Sequence, residues 1–87
     1  MTDYMENYKT SVRTFILENY LFTEDQSQLS DSTSFLQEGI LDSMGILELI
    51  TYIEEEFNLK ILESEMIPDN LDSVANVVVF IQTKLAA

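Results

Sequence analysis

The chain has 87 residues, 46% of them apolar, with sixteen acidic against four basic side chains, no cysteine and no histidine. That length and composition specify one small folded domain and exclude disulfides, thiolate metal sites and the commonest general base. A net charge of −12 repels nucleic acid and anionic membrane surfaces and steers the domain toward partners with basic patches.

Residues 3–20 are predicted to form a first helix. Asp3 is its cap, with Glu6 three positions on in a pattern like a capping box. Met5, Tyr8, Val12, Phe15, Ile16 and Asn19 keep the helical period. The start of the chain lacks the basic and apolar segments of a signal peptide, and the longest apolar runs are far too short to span a bilayer, so a cytoplasmic protein is expected.

Residues 21–42 read as an unusually long connection. Its apolar residues Leu21, Phe22, Leu29, Phe35, Leu36, Ile40 and Leu41 are expected to pin it to the core at intervals, with one helical turn around Ser34-Phe35-Leu36. The Asp/Ser density lacks the central glycine and spaced acids of a calcium loop. Gly39 permits a turn that presents the next helix.

Residues 43–57 are predicted to form the second helix. At 100° per residue, Ile46, Leu49, Ile50, Ile53 and Phe57 face the core. Met44, Glu48, Thr51 and Glu55 lie opposite, and Leu47 and Glu54 lie on the flank nearer Ser43. Asp42 is the N-cap, which puts the Ser43 hydroxyl at the helix mouth, beside unpaired N–H groups and the positive end of the helix dipole. Met44 and Leu47, apolar yet directed away from the core and ringed by Glu48, Glu54 and Glu55, form a docking surface. Gly45 costs about 1 kcal/mol relative to alanine inside a helix. Close approach by an enzyme or cofactor, or tight packing against the long loop, would explain it.

A short third helix is expected over residues 62–67, stopped by Pro68. The last helix covers residues 72–85, capped by Asp72 or Ser73 with Leu71 as a staple. Val74, Val77, Val78, Ile81 and Leu85 keep its period, although Val77-Val78-Val79 has strand propensity. An all-α four-helix bundle is the economical architecture.

Ser43 has no histidine to activate it, and Leu41 and Gly45 replace the glycine pair of a nucleophile elbow. A residue that is modified by another enzyme fits better than a catalytic one.

The segment Gly39-Ile40-Leu41-Asp42-Ser43-Met44, followed by Leu47-Glu48-Leu49-Ile50 and Ile53-Glu54-Glu55-Glu56-Phe57, resembles the attachment segment of acyl and peptidyl carrier proteins. Pro68-Asp69-Asn70-Leu71-Asp72-Ser73-Val74 is similar to the junction before the last helix in peptidyl-type carriers. The resemblance covers about residues 35–85. It implies an acyl-carrier-type bundle with a short third helix and a long loop between helices 1 and 2. It also implies 4'-phosphopantetheine installed on Ser43 by a phosphopantetheinyl transferase from coenzyme A, with Asp42 flanking the attachment point. The arm then holds an acyl or aminoacyl group as a thioester. Met44, Leu47, Glu48, Thr51, Glu54 and Glu55 are the implied partner contacts, with Leu62 and Met66 near the short helix as further candidates. A monomer is expected, non-catalytic itself, loaded by an adenylating enzyme and serving downstream acyl-processing enzymes of a biosynthetic pathway. Leu41-Asp42-Ser43-Met44-Gly45 is also close to the D-alanyl carriers, whereas fatty-acid carriers usually have leucine in place of Met44. D-alanyl or fatty-acid carriage, or an unmodified helical interaction module, are the alternatives.

Overall fold

The computed structural model describes the backbone of residues 4–86 and the side chains of residues 7–86. Four α-helices carry it: α1 Tyr4–Ile16, α2 Ser43–Phe57, α3 Pro68–Leu71 and α4 Val74–Ala86. Among the described residues there is no strand, and the expected all-α arrangement with a short third helix and a long first connection is present. Asp3 and the side chains of Met5 and Glu6, expected in the first turn and its cap, lie outside the described residues.

The first helix departs from its expected end. α-Helical bonding stops at Ile16, and Leu17–Leu21 widen into a π-turn. Phe22 closes that turn in the left-handed conformation (φ 53°, ψ 44°), its N–H donating to the Leu17 carbonyl. The Thr23 N–H reaches the same oxygen at 3.1 Å, so the Leu17 carbonyl at the helix end is satisfied by a wide turn. The turn keeps Leu17 in the core and carries Tyr20 to the α2 backbone near Gly45.

One apolar core runs through all four helices. Val12, Ile16 and Leu17 meet Leu49, Ile50 and Ile53 of α2, Leu71 of α3, and Val74, Val77, Val78, Phe80 and Ile81 of α4. Burial of these β-branched residues outweighs the strand propensity of the valine run, because tertiary packing dominates local preference. On α2, Leu49, Ile50 and Ile53 are buried, and Ile46 and Phe57 pack on the rim of the core. A stack of aromatic rings joins α1 to α2: Phe15 lies flat on Tyr52 at 4.3 Å, and Tyr8 meets Phe57 edge-on at 5.4 Å. The Tyr52 hydroxyl donates to the Ser11 carbonyl at 3.1 Å, which gives a half-buried ring its polar partner.

The long connection is pinned by charge as well as by apolar side chains. Leu29, Phe35 and Leu41 enter the core as expected, and Leu21 and Ile40 pack partly against it. Phe22 and Leu36, expected as pins, are instead exposed. Arg13 donates from Nε to Gln26 Oε1 at 2.9 Å, from Nη2 to the Gln26 carbonyl at 2.7 Å and from Nη1 to Asp31 at 2.7 Å. Lys9 adds a second cation 3.5 Å from Asp31. The loop thereby folds across α1, and the Asp31 carbonyl accepts the Ala75 N–H of α4 at 2.9 Å.

Proline also plays a different part from the one expected. Residues 63–65 make only a 3₁₀ turn, and Pro68 opens α3 where it was expected to close a helix. At a first helical position its missing N–H costs nothing, and Ile67 before it is extended (φ −121°, ψ 153°), as the ring of a following proline requires. Between the two expected caps of α4, Ser73 takes the role, its Oγ accepting the Asn76 N–H at 3.1 Å. Asp72 turns to the long loop, accepting the Leu36 N–H at 2.9 Å on Oδ1 and the Ser34 hydroxyl on Oδ2. Its carbonyl takes the Phe35 N–H at 2.8 Å.

Candidate functional site: the mouth of α2

Gly39 stands at φ 70°, a left-handed value that favours glycine. The turn it completes folds Ile40 and Leu41 back so that both N–H groups reach the Phe35 carbonyl, at 2.9 and 3.2 Å. Leu41 is thereby buried, and Asp42 emerges extended at the helix mouth. The Asp42 carboxylate accepts the Gly45 N–H at 2.9 Å and its carbonyl accepts that of Ile46 at 2.9 Å. These two bonds make Asp42 the N-cap, leave Ser43 as the first residue of α2, and hold its exposed side chain at the positive end of the helix.

The reason for Gly45 is packing. A β-carbon there would lie 3.1 and 3.2 Å from the Leu41 side chain and 3.5 Å from the Tyr20 ring. The glycine lets the connection and the π-turn close on the first turn of α2.

Two surfaces flank Ser43. On one side a cleft of about 230 Å³ is lined by Ser43, Leu36, Ile46, Leu71, Asp72, Met66, Ile67 and Pro68. On the other, Met44, Leu47, Glu48, Thr51 and Glu55 line a shallow groove floored by Phe15 and Tyr52. Met44 and Leu47 are 66% and 52% exposed, so these apolar side chains on α2 are directed outward, as the periodicity indicated. Of the remaining candidates, Met66 joins Ser43 at the cleft and Leu62 is exposed. Glu54 is engaged elsewhere: its carboxylate accepts the Ile61 N–H at 2.9 Å and anchors the connection after α2. Thr51 donates its hydroxyl to the Leu47 carbonyl at 3.1 Å.

Glu48 has an unforeseen partner. The Tyr20 hydroxyl donates to its carboxylate. Burial, and next the hydrogen bond and charge of Glu48, push the Tyr20 pKa up to about 12. Sequence reasoning missed Tyr20, Leu36, Ile67 and Pro68 as neighbours of the site. Leu36 and Ile67 carried a signal, being apolar residues on connections that did not have to be buried.

An exposed hydroxyl at a helix mouth is accessible to a group that another protein could transfer to it. The surroundings fit a phosphodiester-linked arm. The helix end favours an anion at the serine, and the adjoining cleft offers apolar walls to a chain leaving it. A small helical bundle with such a serine between a cleft and an acid-rimmed apolar groove has the form of a carrier domain. The phosphopantetheine attachment site family matches residues 21–81. D-alanyl carrier proteins of Streptococcus pyogenes serotypes M5 (strain Manfredo), M49 (strain NZ131) and M1 are each 41% identical over 58 residues, covering 67% of this chain and 72% of theirs. The chain belongs to the phosphopantetheine-attachment family of carrier proteins, and 4'-phosphopantetheine is its cofactor. Membership implies interaction with a phosphopantetheinyl transferase and with the enzymes that use the carrier. Among the described residues, no helix is long and apolar enough to cross a membrane.

Proposed function

We propose that Ser43 is the attachment residue and that the chain, a monomeric single domain of the cytoplasm, carries an acyl or aminoacyl group between biosynthetic enzymes. The observation that carries this reading is the placement of Ser43: exposed, first in α2 and opening on the apolar cleft. The bound cofactor supplies a thiol that the protein lacks and holds the cargo as a thioester. Asp42 holds the helix mouth open by capping Gly45, and the base that removes the serine proton comes from the transferase, since this chain has no histidine. Met44, Leu47, Glu48, Thr51 and Glu55 are the surface offered to partners, with Met66 on the cleft and the exposed Leu62 as further contacts. Glu54 contributes by fixing the Ile61 backbone.

Incubation with coenzyme A and a broad-specificity transferase should add one phosphopantetheine mass, and Ser43→Ala should abolish the addition. An unchanged mass with an active transferase defeats the proposal. It also favours an unmodified interaction module, which predicts that partners bind wild type and Ser43→Ala equally.

We infer that an adenylating enzyme loads the arm. The likeness to D-alanyl carrier proteins favours a small amino acid, with D-alanine the first to test. Charging the modified protein with D-alanine in competition with other amino and carboxylic acids decides the cargo.

A further inference from the structure

Phe22 is 81% exposed, and its backbone sits in the left-handed region at φ 53°, where a non-glycine residue carries a conformational cost. The backbone conformation closes the helix end, a position where glycine would cost least, but the exposed ring serves no core. The residue is nevertheless fixed in place: its N–H is bonded to the Leu17 carbonyl, and the Thr23 N–H is bonded to the same oxygen at 3.1 Å. The Thr23 hydroxyl in turn accepts the Asp25 N–H at 3.0 Å. The ring thus projects from a hydrogen-bonded turn, and Glu18 and Glu24 line the same shallow surface with it. An exposed aromatic side chain on a hydrogen-bonded backbone, rimmed by acids, has the form of an interface anchor.

We propose that Phe22 is a second docking anchor, separate from the α2 groove, for an enzyme of the carrier's pathway that presents an apolar pocket with a lysine- or arginine-rich rim. The rim of Glu18 and Glu24 selects that occupant over a second copy of this chain. Two copies meeting here would bring like acidic rims together, in a molecule already at −12. The inference rests on the carrier reading, in that other enzymes handle the chain, but not on Ser43 being the modified residue.

The test measures binding of the intact chain to a broad-specificity phosphopantetheinyl transferase and to the adenylating enzyme found to charge it. Wild type, Phe22→Ala, Phe22→Gly and the double charge reversal Glu18→Lys/Glu24→Lys are compared, each also in the Ser43→Ala background. The expected result is a loss of roughly tenfold or more in affinity for at least one enzyme on removing the ring. The charge reversal should produce a comparable loss at low salt that fades at high salt. Thermal unfolding supplies the second readout: Phe22→Gly should melt at a higher temperature than wild type, because glycine relieves the left-handed backbone while the lost side chain buried little. Weakened binding therefore cannot be ascribed to unfolding. Unchanged binding of Phe22→Ala to both enzymes overturns the proposal, and so does the absence of binding by wild type. Self-association of wild type that Phe22→Ala abolishes overturns it in favour of a second copy. Failure of modification at Ser43 with binding still dependent on Phe22 overturns the attachment reading and leaves this one standing.

Discussion

The hydroxyl of Tyr20, at the end of the π-turn, donates to the carboxylate of Glu48, on the second turn of α2. The same ring lies against Gly45, so one side chain fastens the end of the first helical segment to the helix that presents Ser43. It also withdraws part of Glu48 from the acidic surface on which periodicity alone had placed it.

That contact has a titration signature. The Tyr20 pKa is raised to about 12 by burial, then by Glu48, and burial also raises that of Tyr52. A tyrosine whose folded pKa lies above its unfolded value near 10 stabilises the fold below pH ~10 and loses that contribution as pH rises toward ~12. Spectrophotometric titration should show late-ionising tyrosines, one of which disappears in Tyr20→Phe. Because the pair is solvent-screened, the substitution should cost only about 1 kcal/mol at neutral pH. A cost independent of pH between 9 and 12 would show that the hydrogen bond does not stabilise the fold.

Gly45→Ala sets helix propensity against space. Alanine would gain about 1 kcal/mol in a free helix. Here its β-carbon meets the Leu41 side chain at 3.1 and 3.2 Å, including the Leu41 β-carbon, which moves only with the backbone. Overpacking of that kind costs about 1–3 kcal/mol. Urea unfolding should therefore show a net loss of roughly 1 kcal/mol, and a stabilised Gly45→Ala would mean that Leu41 yields freely.

Much of this region was legible from residue pattern, and what was not has a common physical origin. α2 runs over the expected residues 43–57 because Asp42 caps it and its apolar period is unbroken, both local properties. The ties between Tyr20 and Glu48, Ser34 and Asp72, and Arg13 and Asp31 join polar residues 18 to 38 positions apart. Polar residues leave no periodic trace, so these ties were not visible before the fold was known. Pro68 was misread because proline both stops a helix and starts one, and only the backbone before it distinguishes the two. Phe22 and Leu36 read as core because composition does not distinguish an apolar residue that pins a loop from one left on the surface.

Asp72 and Ser73 are neighbours with separable effects. Asp72→Ala removes acceptors from the Leu36 N–H and the Ser34 hydroxyl, which detaches the wall of the Ser43 cleft. Ser73→Ala removes the cap of α4. Each should cost about 1–2 kcal/mol. Hydrogen exchange at Leu36 should quicken in Asp72→Ala alone, and at Asn76 in Ser73→Ala alone. Identical exchange profiles would mean that the two residues act as one unit.

At low pH the connection before α3 should loosen late, once Glu65 takes up a proton below the usual carboxylate range. Glu65 is held below the usual carboxylate range by its hydrogen bond with Lys84, then by the Leu62 N–H, with Lys84 Nζ 2.8 Å from Oε1. A carboxyl with a depressed folded pKa stabilises the fold above its unfolded value, and that contribution disappears as pH falls through the folded one. Lys84→Met removes the first cause, so its stability should respond less to acid between about pH 5 and 3 than that of wild type. Parallel acid profiles for the two would exclude the pair as a source of acid sensitivity.

The acidic groove on α2 yields the last prediction, and the Tyr20 bond changes which residue tests it cleanly. Glu48→Lys alters the partner surface and also breaks the latch to Tyr20, so a slower modification rate would have two causes. Glu55 lines the same groove beside Met44, Leu47 and Thr51, and its reversal changes surface charge at an exposed position. Glu55→Lys should slow transferase modification by roughly three- to tenfold at low ionic strength while leaving helix content unchanged. The difference should shrink as salt screens the encounter, because a rim charge acts mainly on association rate. If Tyr20→Phe speeds modification while Glu55→Lys slows it, the latch competes with the partner for Glu48. If Glu55→Lys is modified at the wild-type rate in low salt, apolar contact at Met44 and Leu47 governs docking, and charge on this face does not.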